Sequence, residues 1–310
     1  MDASRRHALQ VAGATALTAL AGCSANSALD ASEPETTYTL STDSVDRSPI
    51  EHALYEPGDD ALFGEPERTA LDAILPDGRH TTYGYQPLPD DAYVEDDGTY
   101  YQTKHVVTGR ERIERPLVRA DPVPEQEIPA DALSLDSLNR PSARVVKILH
   151  GHSQSGGRTA GDLLRGDAYV LRRPAELDSE LASGDVDGRV VRLTEDGPWA
   201  YRLHVTRESL AETAYTAFAL ALTDSRTRFR DIVFASRIDT TLAPADLSAA
   251  ARDDLTQAIT EGTYRETAAL SDGFGELLTA LDLGRESTNG RLLWYQNRLY
   301  RYGLYVDDAK

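Results

Sequence analysis

The chain has 310 residues, 40% of them hydrophobic, and its 51 Asp plus Glu against 32 Lys plus Arg give a formal net charge of −19. So much apolar side chain excludes an acidic disordered polymer and suffices for a core without disulfide staples. The charge excludes a nucleic-acid binder, which needs a basic patch for the phosphate backbone. The lone cysteine, Cys23, leaves the body without disulfides or thiolate metal sites.

At the N-terminus, Arg5 and Arg6 precede a mildly apolar stretch, residues 8–21, and then a small-residue site. A cationic start, a short apolar run and small residues are the three parts of an export signal. The run is too short to cross a ~30 Å hydrocarbon core as a permanent helix. Residues 1–22 are therefore expected to be a signal peptide. Residues 24–48 are rich in Ser, Thr, Asp, Glu and Ala, as a flexible tether is.

Two motifs sharpen this expectation. Ser4-Arg5-Arg6-His7-Ala8-Leu9-Gln10 resembles the twin-arginine export consensus, departing from it at Ala8 and Gln10. Leu20-Ala21-Gly22-Cys23 resembles the lipobox of lipoproteins at every position. That resemblance implies alkylation of the Cys23 thiol by a lipid and cleavage before it, which puts residues 23–48 on the membrane as an anchored tether. The basic residues are almost all Arg, since only Lys104, Lys147 and Lys310 are lysines. Acidity with so little lysine resembles haloarchaeal proteins, in which hydrated, mutually repelling carboxylates keep a chain soluble in salt that screens ordinary charges. Signal and composition together resemble the lipoproteins of haloarchaea.

Beyond residue 48 a pattern recurs: a helix, a Gly with a nearby Tyr, then a hairpin rich in aromatics. The first occurrence has a helical run over 67–75, and Asp97-Gly98 as a hairpin turn feeding alternating residues to 107. The second has a helix over 142–149, Gly166 with Tyr169, and strand residues over 196–205. The third has a helix over 247–259, Gly262 with Tyr264, and a terminal strand over 297–306. Further strands are expected over 113–118, 189–193, 214–222 and 229–241, and further helices over 174–183 and 274–281. The fold class is α+β, with antiparallel hairpins or meanders each preceded by a helix, and the recurrence is compatible with two or three divergent repeats. A Pro/Asp/Glu-rich stretch over 121–131 divides a small α+β unit, 49–120, from a larger region, 132–310, with room for two units.

The string His150-Gly151-His152-Ser153-Gln154-Ser155-Gly156-Gly157 resembles the nucleophile elbow G-x-S-x-G. Ser155 replaces the second required glycine, the preceding residues form a helix rather than a strand, and the only later histidine is His204, inside a strand. A solvated loop is the better reading there. His150 and His152 lack a third ligand, so no metal or other cofactor is assigned. The acidic pairs Asp59-Asp60, Asp90-Asp91, Asp96-Asp97, Asp253-Asp254 and Asp307-Asp308 do not follow the spacing of a calcium loop and read as solvated surface. Tyr100, Tyr101, Trp199, Tyr201, Trp294, Tyr295, Tyr300 and Tyr302 are expected mainly in the core, with an aromatic binding face as the alternative. No phosphate-binding glycine loop is present.

The expectation is a lipoprotein on the outer face of the cell membrane, bound to the membrane through Cys23 and acting as a non-catalytic binding or structural module toward an envelope protein or surface ligand. No catalytic residue is assigned. Alternatives are a membrane-tethered serine hydrolase using Ser153 and a solute-binding lipoprotein.

Overall fold

The computed structural model describes residues 36–59, 61–158, 163–194 and 197–307. The export signal with Arg5 and Arg6, and the lipobox Leu20-Ala21-Gly22-Cys23, lie outside the described residues. Among the described residues no helix is long and apolar enough to cross a membrane.

The described chain opens with β1 (Thr37–Val45), α1 (Pro49–Ala53), α2 (Gly64–Ile74), β2 (His80–Tyr83), β3 (Tyr93–Asp96) and β4 (Thr99–Val123). It continues through β5 (Leu133–Ser134), α3 (Arg140–Gln154), β6 (Leu164–Arg165), β7 (Ala168–Val170), α4 (Pro174–Leu177), α5 (Glu180–Ser183), β8 (Val190–Arg192) and β9 (Ala200–Thr223). It closes with α6 (Arg226–Arg237), β10 (Thr240–Leu242), α7 (Ala249–Glu261), β11 (Thr263–Thr267), α8 (Asp272–Ala280), β12 (Thr288–Tyr295) and β13 (Arg298–Asp307).

Helices and mixed sheets make the fold α+β. One sheet orders its strands β10-β12-β13-β1-β11, and the other β5-β8-β9-β4-β7-β6, with β2 on β9 and β3 on β4. The wholly antiparallel expectation needs correction, because β10 pairs with β12, and β5 with β8, in parallel. Both parallel strands come just before a helix, and their return to the sheet edge uses that helix as part of the crossover. At two and three residues they carry no readable alternation.

The second sheet is built on a two-stranded ribbon. β4 and β9 run antiparallel from Tyr100↔Thr223 to Val123↔Ala200, with register shifts between Tyr100 and Tyr101 and between Val107 and Gly109. The second shift leaves Thr108 as the extra residue, next to Gly109, and such a bulge increases the local twist of the ribbon. At one end α2 packs Ala70, Leu71 and Ile74 against Val94, Tyr101 and Ala217. At the other end Val145, Val146 and Leu149 of α3 and Leu181 of α5 pack against Val118, Tyr169, Val191 and Leu203. The five-stranded sheet has its own core, in which Leu255 of α7 and Phe274 and Leu277 of α8 meet Leu40, Leu293, Tyr302 and Leu304.

The helix boundaries follow from side-chain caps. The hydroxyls of Ser248 and Ser271 accept from Ala251 N and Phe274 N, and the Asn139 amide oxygen accepts from Ser142 N with Pro141 in the first turn. Gly262 ends α7 in the left-handed region at φ +80°. The 229–241 stretch, expected as a strand, is a helix to Arg237. The Ser225 hydroxyl accepts from Arg228 N to start it, and Phe229 and Val233, four apart, bury one face against Tyr93 and Tyr100. The 174–183 helix is two short ones, α4 and α5.

Candidate functional site

Halfway along the ribbon, where the two helical ends meet, lies a cluster of buried charge. On β9 the side chains of Leu210, Glu212, Ala214 and Thr216 all point inward, so a glutamate occupies a core position. Across the ribbon on β4, Arg115 is buried as well, its side chain 8% exposed. Its Nε lies 3.7 Å from Glu212 Oε1, and its Nη2 donates to the Tyr83 carbonyl at 3.0 Å. Arg172, just after β7, closes on the same carboxylate with its Nε 3.0 Å from Oε1 and 3.2 Å from Oε2. Burial pushes the pKa of Arg115 down, and Glu212 opposes the shift.

Gly84 makes room for this pair. Its φ is +79°, and a Cβ added there would sit 2.1 Å from Glu212 Oε2 and 2.5 Å from Arg172 Nε. Gly84→Ala is therefore expected to lower stability by about 1–3 kcal/mol, from left-handed strain plus displacement of the ion pair. Gly98→Ala, also at positive φ but with open space around it, isolates the strain component. Urea denaturation of both variants at fixed salt makes the comparison, and equal losses would mean that the Glu212–Arg172 contact is irrelevant.

The second buried carboxylate is Glu176 of α4. It accepts from the Tyr169 hydroxyl at 2.6 Å, from Arg172 N at 2.9 Å, from Arg173 N at 3.0 Å and from Arg144 Nη1 at 3.4 Å. Pro174 fits the first helical position, which needs no N–H, and Glu176 two residues on reaches back to the amides that the helix leaves unpaired. Burial, with Glu176 beside it, pushes the Tyr169 hydroxyl up to about 12.

Next to this cluster opens a cleft of about 570 Å³ between the start of α2 and the 173–178 segment. Arg173 lies over the Phe63 ring at 4.2 Å and near the Tyr85 ring at 5.2 Å, and Arg144 approaches Phe63 at 5.2 Å. Elsewhere in the cleft Asp59 pairs with Arg68, and the Tyr55 hydroxyl donates to Glu67. A cleft between two packed halves, with aromatic and charged groups converging on it, has the shape and lining in which small ligands are held.

The elbow-like string lies elsewhere and is not a loop. Ser153 is exposed in the last turn of α3, which runs unbroken to Gln154. One turn earlier, His150 Nδ1 hydrogen bonds with the Tyr201 hydroxyl at 2.7 Å. His204 faces Asp121 across the ribbon at 3.3 Å. His150 and His204 thus have separate partners, and Ser153 sits on a helix without the strand-to-helix turn an elbow needs. Among the described residues no three His, Asp or Glu side chains gather as a candidate metal cluster. Tyr100, Tyr101, Tyr201, Tyr295, Tyr300 and Tyr302 are buried, while Trp199 is exposed, so these residues form cores rather than one binding face. Asp90 and Asp91 pair with His105 and Lys104.

No family model, curated protein or solved structure matched the chain.

Proposed function

We propose that the chain is an exported lipoprotein, anchored at Cys23 on the outer face of the cell membrane, whose body is a non-catalytic binding module. The run Leu20-Ala21-Gly22-Cys23 behind Arg5 and Arg6, containing the only cysteine of the chain, carries this reading. β1 takes Thr37–Val45, part of the stretch expected as tether, into the five-stranded sheet, so the first described strand starts fourteen positions after Cys23, a reach of at most roughly 50 Å. The cleft at Phe63, Tyr85 and Arg173 favours a solute-binding body over a purely structural one.

The repeat reading belongs here too. Three times a short strand or bridge parallel to a hairpin precedes a helix, and the strand after the helix joins the sheet beyond a strand borrowed from elsewhere. The orders are β3-β4-β9-β2 with Leu54 bridging Tyr93 in parallel, β5-β8-β9-β4-β7, and β10-β12-β13-β1-β11. On this reading the first two units, divided near 121–131, lend each other their long strands, and β1 completes the third.

Intact-mass analysis of protein extracted from native membranes tests the anchor. The expected result is a chain beginning at Cys23 with a lipid-sized addition, lost in Cys23→Ser, and with export blocked in Arg5→Lys plus Arg6→Lys. An unprocessed, unmodified chain would overturn it.

A further inference from the structure

We propose that the cleft beside Arg173 binds a small solute through an oxyanion, a carboxylate or a phosphate. The inference rests on reading the body as a binding module and gives that module a ligand class. Its basis is Arg173, a guanidinium that lines the cleft with aromatic rings for partners. Three guanidinia, of Arg115, Arg144 and Arg172, share the two buried carboxylates Glu176 and Glu212, while Arg173 gives Glu176 only its backbone N–H. Glu212 is divided between Arg115 and Arg172, and Glu176 takes Arg144.

Arg173 is left with aromatic rings as its partners, and among the described residues no carboxylate takes its side-chain N–H donors. Those donors present the planar fork that recognises an oxyanion. Behind the cleft, the buried Arg115 keeps an Nε without a hydrogen bond, 3.7 Å from Glu212 Oε1, so Glu212 is already oversubscribed by Arg115 and Arg172 and has nothing left for Arg173. The Tyr85 ring lies in the cleft beside Arg173.

Carboxylates do line the cleft. Asp59 and Glu67 already have partners, and Glu65 and Asp178 are exposed at the rim, where salt screens them far more than it screens a buried charge. Arg68 is thus taken by Asp59, and Arg173 is the cleft arginine left for a small anion that can pass the rim.

The test is isothermal titration of the purified full-length chain with inorganic phosphate and, separately, with acetate, at constant ionic strength. Saturable one-site binding of at least one probe is expected, and comparing the two shows which oxyanion the site prefers. Arg173→Ala should weaken it at least tenfold, Arg173→Lys less, and Arg252→Ala on α7 should leave it unchanged, with circular dichroism confirming that each variant is folded. Absence of saturable binding for both probes, or the same affinity in folded Arg173→Ala, would overturn the proposal. Either result would leave the anchor intact, because the anchor is read from mass.

Discussion

Glu176→Ala is expected to cost about 3 kcal/mol or more of unfolding free energy, because one side chain satisfies four donors in a place that water does not reach. Glu176 is 1% exposed. Removing it strands the amides of Arg172 and Arg173, which begin α4, and leaves the Tyr169 hydroxyl, itself buried, without its acceptor. An orphaned buried donor costs about 1–3 kcal/mol. The loss of a buried ion-pair partner costs about 3–5 kcal/mol, discounted here because the Arg144 side chain is 34% exposed and can turn to water. Glu176→Gln keeps the shape and one acceptor but not the charge, and should fall between Ala and wild type. Tyr169→Phe removes a single donor and should cost only about 1 kcal/mol. Urea midpoints at fixed salt rank the three, and a Glu176→Ala loss no larger than that of Tyr169→Phe would show that the carboxylate does not organise the cluster.

Much of the framework was legible in the sequence because it is local. Asp97-Gly98 makes a hairpin turn with both residues at positive φ, at +45° and +77°, and the helices expected over 142–149 and 247–259 fall on α3 and α7. Phe229, Ile232, Val233, Phe234 and Ile238 misled for an equally physical reason. Their β-branched and aromatic side chains favour a strand, while their spacing also suits a helix, and packing against Tyr93 and Tyr100 decides between the two. The pairing of β4 with β9 joins residues about a hundred positions apart, and no local pattern sets such a register.

The site was the least legible part. Arg115, Arg172, Glu176 and Glu212 come from three segments of a chain in which charge ordinarily marks solvent, so nothing distinguished them from surface residues. Two signals were present all the same. Glu212 falls in phase with Leu210 and Ala214, on the inward side of an alternating strand, and Arg173-Pro174-x-Glu176 is a helix start whose acid lies two residues after the proline. A charge at a core position requires partners of opposite sign, but which arginines supply them depends on the long-range β4–β9 pairing that no local pattern sets.

Leu40→Ala is expected to have an effect of similar size at the other end of the molecule, about 2–5 kcal/mol by the usual cost of a buried leucine truncation. Leu40 has no solvent exposure and sits on a strand that is paired on both sides, opposite Leu304 of β13 and Tyr264 of β11. β1 is also tied to the helical layer, where Thr42 N donates to the Gly262 carbonyl at 2.9 Å and Thr42 Oγ1 to the Ala258 carbonyl at 2.7 Å. A cavity at Leu40 therefore loosens the centre of the sheet rather than its rim, and α7 and α8 lose part of the face they cover. Ser44→Ala, exposed on the same strand, should stay within about 0.5 kcal/mol. If the five-stranded sheet unfolds separately from the ribbon, Leu40→Ala will move one of two urea transitions and Glu176→Ala the other. If the body is a single cooperative unit, both will shift one shared midpoint. A Leu40→Ala loss below about 1 kcal/mol would mean that β1 is dispensable to the core, and that the strand nearest Cys23 merely rests on the body instead of completing it.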